Sequence, residues 1–100
     1  MLEKTSYHTF RGKRWRLVSV PSRRLDHDRG ECENPTSSGK TIRINRELSG
    51  EGMLDTLIHE ALHACLWDLD DEAVEPTAKD MARMLWRLGY RPKEEHDAER

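Results

Sequence analysis

The sequence predicts a small α+β domain, an antiparallel sheet of about three strands packed on two helices, the second at the C-terminal end. Three observations carry that expectation. Arg14 to Val20 and Lys40 to Asn45 alternate apolar and polar residues with the period of two that a half-buried strand requires. Met53 to Trp67 and Val74 to Leu88 instead space their apolar residues at the 3.6-residue period of a helix. The chain has 100 residues, 35% of them hydrophobic and 36% charged, which is enough for one modest core, and no internal repeat or second domain is visible.

Each element has its own justification. Residues 1 to 13 are polar and mixed and close on the turn Arg11-Gly12-Lys13, so a loosely ordered arm or a short first strand is expected there. The strand from Arg14 puts Trp15, Leu17 and Ser19 on one face and Val18 and Val20 on the other, and Pro21 ends it. Ser22 to Arg29 reads as a charged connection that contains His27. Gly30 to Glu33 begins another strand, the cluster from Asn34 to Gly39 supplies turn residues, and Thr41 to Asn45 returns with Ile42 and Ile44 inward, completing a hairpin.

Ser49 is the expected N-cap of the first helix, with Gly50 and Gly52 at its boundary and Glu51 complementing the dipole. That helix should run to Leu66 or Trp67. Leu54, Leu57, Ile58, Ala61, Leu62 and Cys65 form its apolar stripe, while Thr56, His59, His63 and Trp67 point roughly the other way. In the second helix Val74, Ala78, Met81, Ala82, Leu85 and Leu88 share a face, and Gly89 is its expected C′ residue. Proline is disfavoured inside a helix, so its regular part is expected to begin at Pro76 with Glu75 just outside. The charged tail from Arg91 to Arg100, which includes His96, is expected to fray.

His59-Glu60-Ala61-Leu62-His63 carries the chemistry. Residues four apart on a helix stand one turn apart on one face, the placement two imidazoles need to hold one zinc ion. Glu60 lies beside them, where a carboxylate can act on a water without being a ligand. The competing reading is a pair of solvated histidines that hold nothing. Zinc in a catalytic site takes three protein ligands and leaves one position for water, so a third ligand is needed. The longer pattern that ends in a third histidine is absent, because Leu66 and Leu69 occupy those places. The acidic start of the second helix supplies the candidates, with Glu75 preferred from its helix-wheel position and Glu72 and then Asp71 as alternatives. The same residues could equally be an acidic first turn that favours the helix dipole. Cys32 and His27 are further ligand candidates by type.

A formal charge of −2 offers no reason to propose a nucleic-acid partner. No apolar run approaches membrane-spanning length, the opening Met1-Leu2-Glu3-Lys4-Thr5 lacks a signal-peptide core, and two cysteines are too few for a disulfide framework, so a cytoplasmic protein is expected.

From about Gly30 to Tyr90, the strand Thr41-Ile42-Arg43-Ile44, the helix bearing Leu57-Ile58-His59-Glu60-Ala61-Leu62-His63-Ala64 and the Glu-bearing helix after it resemble the minimal zincin fold. Small SprT-like and phage or bacterial metallopeptidases of the gluzincin type share this arrangement. The resemblance implies one zinc ion, peptide-bond hydrolysis and a strand edge that aligns an extended substrate. The SprT-like group generally brings a third histidine and a separate zinc- or DNA-binding segment that this chain lacks, so its nucleic-acid-linked substrates are not carried over.

The expected mechanism follows. Zinc on His59, His63 and Glu75 activates a water and polarises the scissile carbonyl, Glu60 takes the proton, and a peptide substrate lies along Thr41 to Asn45 if that strand is the sheet edge. Tyr90 and His27 are candidates by type for stabilising the oxyanion. A non-catalytic, zinc-stabilised interaction or regulatory module is the alternative.

Overall fold

The computed structural model describes residues 5 to 92. Four strands precede two helices: β1 Thr5–Phe10, β2 Lys13–Val20, β3 Gly30–Cys32, β4 Thr41–Asn45, α1 Gly50–Cys65 and α2 Asp71–Arg87. The α+β class expected from the alternating and helical periodicities is the one observed. The sheet has four strands in the order β1-β2-β4-β3, and it is mixed rather than antiparallel.

Each difference has a structural cause. The stretch expected to be a loose arm or short strand is a strand over Thr5–Phe10, because Arg11 and Gly12 adopt positive φ and turn it back onto β2. The parallel pairing arises because β4, and not β3, lies beside β2. The chain leaves Val20, makes a short 3-10 turn over Ser22–Leu25, runs out along β3 and returns as β4 between β2 and β3. The hairpin expected of β3 and β4 forms, with Cys32 opposite Ile42 and Gly30 opposite Ile44.

Strand alternation separates two apolar clusters on the two faces of the sheet. Trp15, Ile42 and Ile44 are buried with Ala64 of α1, and Leu17, Cys32, Met53 and Leu57 pack around them. Val18 and Val20, on the opposite face as expected from their spacing, are covered by Leu25 of the 3-10 turn. Across the hairpin Arg43 pairs with Glu31 and Glu33, 2.8 and 3.0 Å away. Glu33 also accepts from the Ser37 hydroxyl and the Thr41 amide, which ties the 34–40 turn to the sheet.

Ser49 is the N-cap position of α1, although its side chain makes no capping bond. Helix α1 ends at Cys65, where the Arg11 guanidinium donates to the Cys65 carbonyl at 3.0 Å. Helix α2 closes in a Schellman motif: Gly89, at φ 99°, donates to Trp86 O, and Tyr90 N–H donates to Leu85 O. Its start differs from expectation. Asp70 caps it through Ala73 N–H, the helix begins at Asp71, and Pro76 lies inside. A proline this close to the N-terminus forfeits one backbone bond, to Glu72 O, and the Asp70 cap with acidic Asp71 and Glu72 in the first turn offsets part of that loss. Among the described residues no helix is long and apolar enough to cross a membrane. Of the tail from Arg91 to Arg100, residues 93–100 and with them His96 lie outside the described residues.

Candidate metal centre

Helix α1 lies between the sheet and α2, so it has two buried sides rather than the single stripe read from its wheel. Its most deeply buried residues are Thr56, Glu60 and Ala64, which form one ridge at four-residue spacing facing the sheet. Thr56, expected on the open face, is therefore buried. Its neighbour across the gap is β3 at Gly30, where an added Cβ would stand 3.0 Å from Thr56 Cγ2, 3.0 Å from Arg43 O and 3.3 Å from Glu60 Cγ. The strand can pass this close to α1 only because residue 30 has no side chain.

His59 and His63 project from the α2 side of α1. Their rings meet edge to face with centroids 4.9 Å apart, as the i, i+4 spacing requires. Burial, and then the charge on His63, hold the His59 imidazole below its ordinary pKa, which favours the neutral form a metal needs. Opposite the pair stands the first residue of α2. Asp71 Oδ1 is 2.9 Å from His63 Nε2 and 3.7 Å from His59 Nε2. The three donor atoms lie within 4.8 Å of one another.

This set differs from the one preferred from the sequence. A helix beginning at Pro76 makes Glu75 the expected third ligand. With α2 beginning at Asp71, the last-ranked alternative comes to the His pair and Glu75 falls a turn further along. Glu75 is near enough for its charge to act on His59 and lines the cleft beside it, but it is outside the close group, as is Glu72. Cys32 is also outside it. Its half-buried thiol is pushed up to about 12 by burial and then by the nearby carboxylates of Glu60 and Glu33, so a thiolate ligand is disfavoured there.

Glu60 is only 7% exposed and faces away from solvent towards β3. Burial raises its pKa to about 7, with Asp71 and Glu31 adding to the effect. A carboxyl group in that range exchanges protons readily at neutral pH. Its burial was legible in the sequence only in part, because the wheel places Glu60 next to the histidines but does not reveal that a strand covers it.

On the His59 side a cleft of about 330 Å³ is lined by His27, Gly30, His59, Glu60, Glu75 and Lys79, among others. On the other side Trp67, 41% exposed, meets the His63 ring edge to face at 6.1 Å. His27 is thus brought from the charged connection to the candidate site, whereas Tyr90 lies exposed beyond the end of α2. In the sequence His27 is a candidate by residue type alone, since no local pattern links it to His59, 32 positions later. Strand β4, proposed as the edge that aligns a substrate, is internal, flanked by β2 and β3. Its backbone groups are already engaged on both sides, and the outer strand on this side of the sheet is β3.

No protein-family model, curated protein or solved structure matches this chain.

Proposed function

We propose that this protein is a zinc-dependent hydrolase acting on peptide bonds, with His59, His63 and Asp71 as metal ligands and Glu60 as proton carrier. The observation that carries the reading is the convergence of two imidazoles and a carboxylate from separate helices next to a buried carboxyl group. The donor set fits zinc. Ligand atoms about 2.1 Å from a tetrahedral ion stand about 3.4 Å from one another. The Asp71 separations of 2.9 and 3.7 Å bracket that value.

A zinc ion held there would supply Lewis acidity to a water and to the substrate carbonyl. Glu60 takes the proton of the attacking water and delivers it to the leaving amine, a task suited to a carboxyl group whose pKa lies near 7. Asp71, with its side chain 75% exposed, leaves the open side of the centre accessible. Strand β3 forms the free edge beside the cleft, and Gly30 lies on both, so an extended peptide adding to β3 would pass over Glu60. The free thiols Cys32 and Cys65 support a reducing, cytoplasmic location.

The test is Glu60→Gln in the zinc-loaded protein, followed by cleavage of a quenched-fluorescent peptide mixture. The exchange should keep zinc and lower turnover by about 10²-fold or more. Equal turnover in the two proteins would remove Glu60 from the chemistry. One observation favours the alternative of a zinc-stabilised interaction module: the ligands join α1 to α2, so the metal could act as a clip between helices. On that reading chelation unfolds the protein and no peptide is cleaved.

A further inference from the structure

A chain of hydrogen bonds behind His27 dictates which of its ring nitrogens carries the proton. The chain begins at Asn45, whose Oδ1 accepts from the Glu47 backbone N–H at 2.9 Å. Its Nδ2 faces the Asp28 carbonyl oxygen at 3.0 Å. A backbone N–H can only donate and a carbonyl can only accept, so the amide of Asn45 has one possible orientation. Its Nδ2 therefore also donates to Ser22 Oγ, at 3.0 Å.

Ser22 is buried, and its hydroxyl contacts His27 Nδ1 at 3.1 Å. With Asn45 donating to it, the hydroxyl needs an acceptor for its own proton, and among the described residues Nδ1 of His27 is the acceptor in reach. If Nδ1 instead carried the proton, Ser22 would keep a buried donor with no partner, an outcome that costs more than the tautomer preference of an imidazole. Neutral His27 thus holds its proton on Nε2.

The backbone sets the ring in place. Asp26 and His27 both adopt left-handed conformations, at φ 50° and 67°, and the turn is closed by His27 N–H donating to Ser22 O at 3.0 Å. Consecutive non-glycine residues at positive φ are costly and persist where surrounding bonds enforce them. The result is that His27 lines the cleft together with His59 and Glu60.

We propose that His27 is a further catalytic residue, presenting Nε2–H to the substrate's reacting carbonyl oxygen and to the negative charge that develops on it. The inference rests on the hydrolase reading above and adds a donor to it, with Ser22 and Asn45 as positioning residues that hold the tautomer. A preorganised donor at such an oxygen stabilises the transition state more than the bound substrate.

Three measurements test it. In the metal-free protein with ¹⁵N-labelled histidine, the neutral His27 ring should show a protonated Nε2 and an acceptor-type Nδ1, and Ser22→Ala should shift that population towards Nδ1–H. In the zinc-loaded protein, a peptide phosphonate that mimics the tetrahedral anion should bind about 10-fold or more weakly to His27→Asn, an exchange that tolerates the left-handed backbone. Zinc affinity should be unchanged. In turnover, His27→Asn should lower kcat by about 10²-fold with KM little altered, and Ser22→Ala should lower it less. A dominant Nδ1–H tautomer, or phosphonate binding as tight in His27→Asn as in the parent, overturns the proposal. Absence of any peptide cleavage by the parent overturns the hydrolase reading, while the tautomer and phosphonate results still decide whether His27 donates into the cleft.

Discussion

Exchange of Asp71 for asparagine tests the choice between the two candidate third ligands. In the metal-free protein the Asp71 carboxylate, its side chain 75% exposed, contacts only His63 at 2.9 Å and His59 at 3.7 Å among the described residues, so its loss should cost only a few tenths of a kcal/mol. That amounts to a change in Tm of about 2 °C or less for a domain of this size. Zinc affinity should respond very differently. Loss of a group that merely supports a ligand costs about 10- to 100-fold in metal affinity, so loss of the anionic ligand itself should cost at least about 10²-fold, or about 2.7 kcal/mol. At a fixed excess of zinc the metal-dependent rise in Tm should then shrink by on the order of 10 °C. Glu75→Gln should change zinc affinity by no more than about 3-fold, since Glu75 influences His59 only through its charge. Chelator competition followed by a coloured zinc indicator, with thermal melts on both variants with and without zinc, supplies the readout. Full zinc affinity in Asp71→Asn together with its loss in Glu75→Gln would refute the ligand set and with it the geometry of the first turn of α2.

Two further predictions concern the scaffold. Gly30→Ala should destabilise the protein by about 1–3 kcal/mol, measured by urea unfolding, because the new Cβ meets backbone and side chain at 3.0 Å and β3 must move off α1. Unchanged stability would show that the strand does not pass α1 so closely. Glu33 gives a pH effect. Burial alone would raise its pKa, but bonds from Arg43, the Thr41 amide and Ser37 outweigh that and leave it below the ordinary carboxylate value. A carboxylate with a lowered folded-state pKa contributes stability that is present above its unfolded value of about 4.3 and is lost as pH falls through the folded one. The Tm of the parent should therefore fall more steeply below about pH 4.3 than that of Glu33→Gln. Parallel acid limbs in the two melting profiles would remove Glu33 from the acid sensitivity.

Local signals in the chain were enough for the parts governed by nearest neighbours. The period-two runs around Trp15 and Ile42, the helix around His59, the N-cap position at Ser49 and the Gly89 terminus all depend on side-chain spacing and backbone preference within a few residues, and these survive folding. Spacing also placed His59 and His63 on one face. Tertiary structure alone decided the rest. The start of α2 was a contest between an Asp70 cap and the Pro76 penalty, and its outcome, reached in the packed helix, selected Asp71 over Glu75. Whether β4 or β3 forms the edge depended on pairing between β2 and β4, more than twenty residues apart, which no local periodicity encodes. Burial of Glu60 under Gly30 and arrival of His27 at the same cleft have the same origin. A wheel describes one helix in isolation, and only packing α1 between the sheet and α2 determines which of its polar residues lose their water.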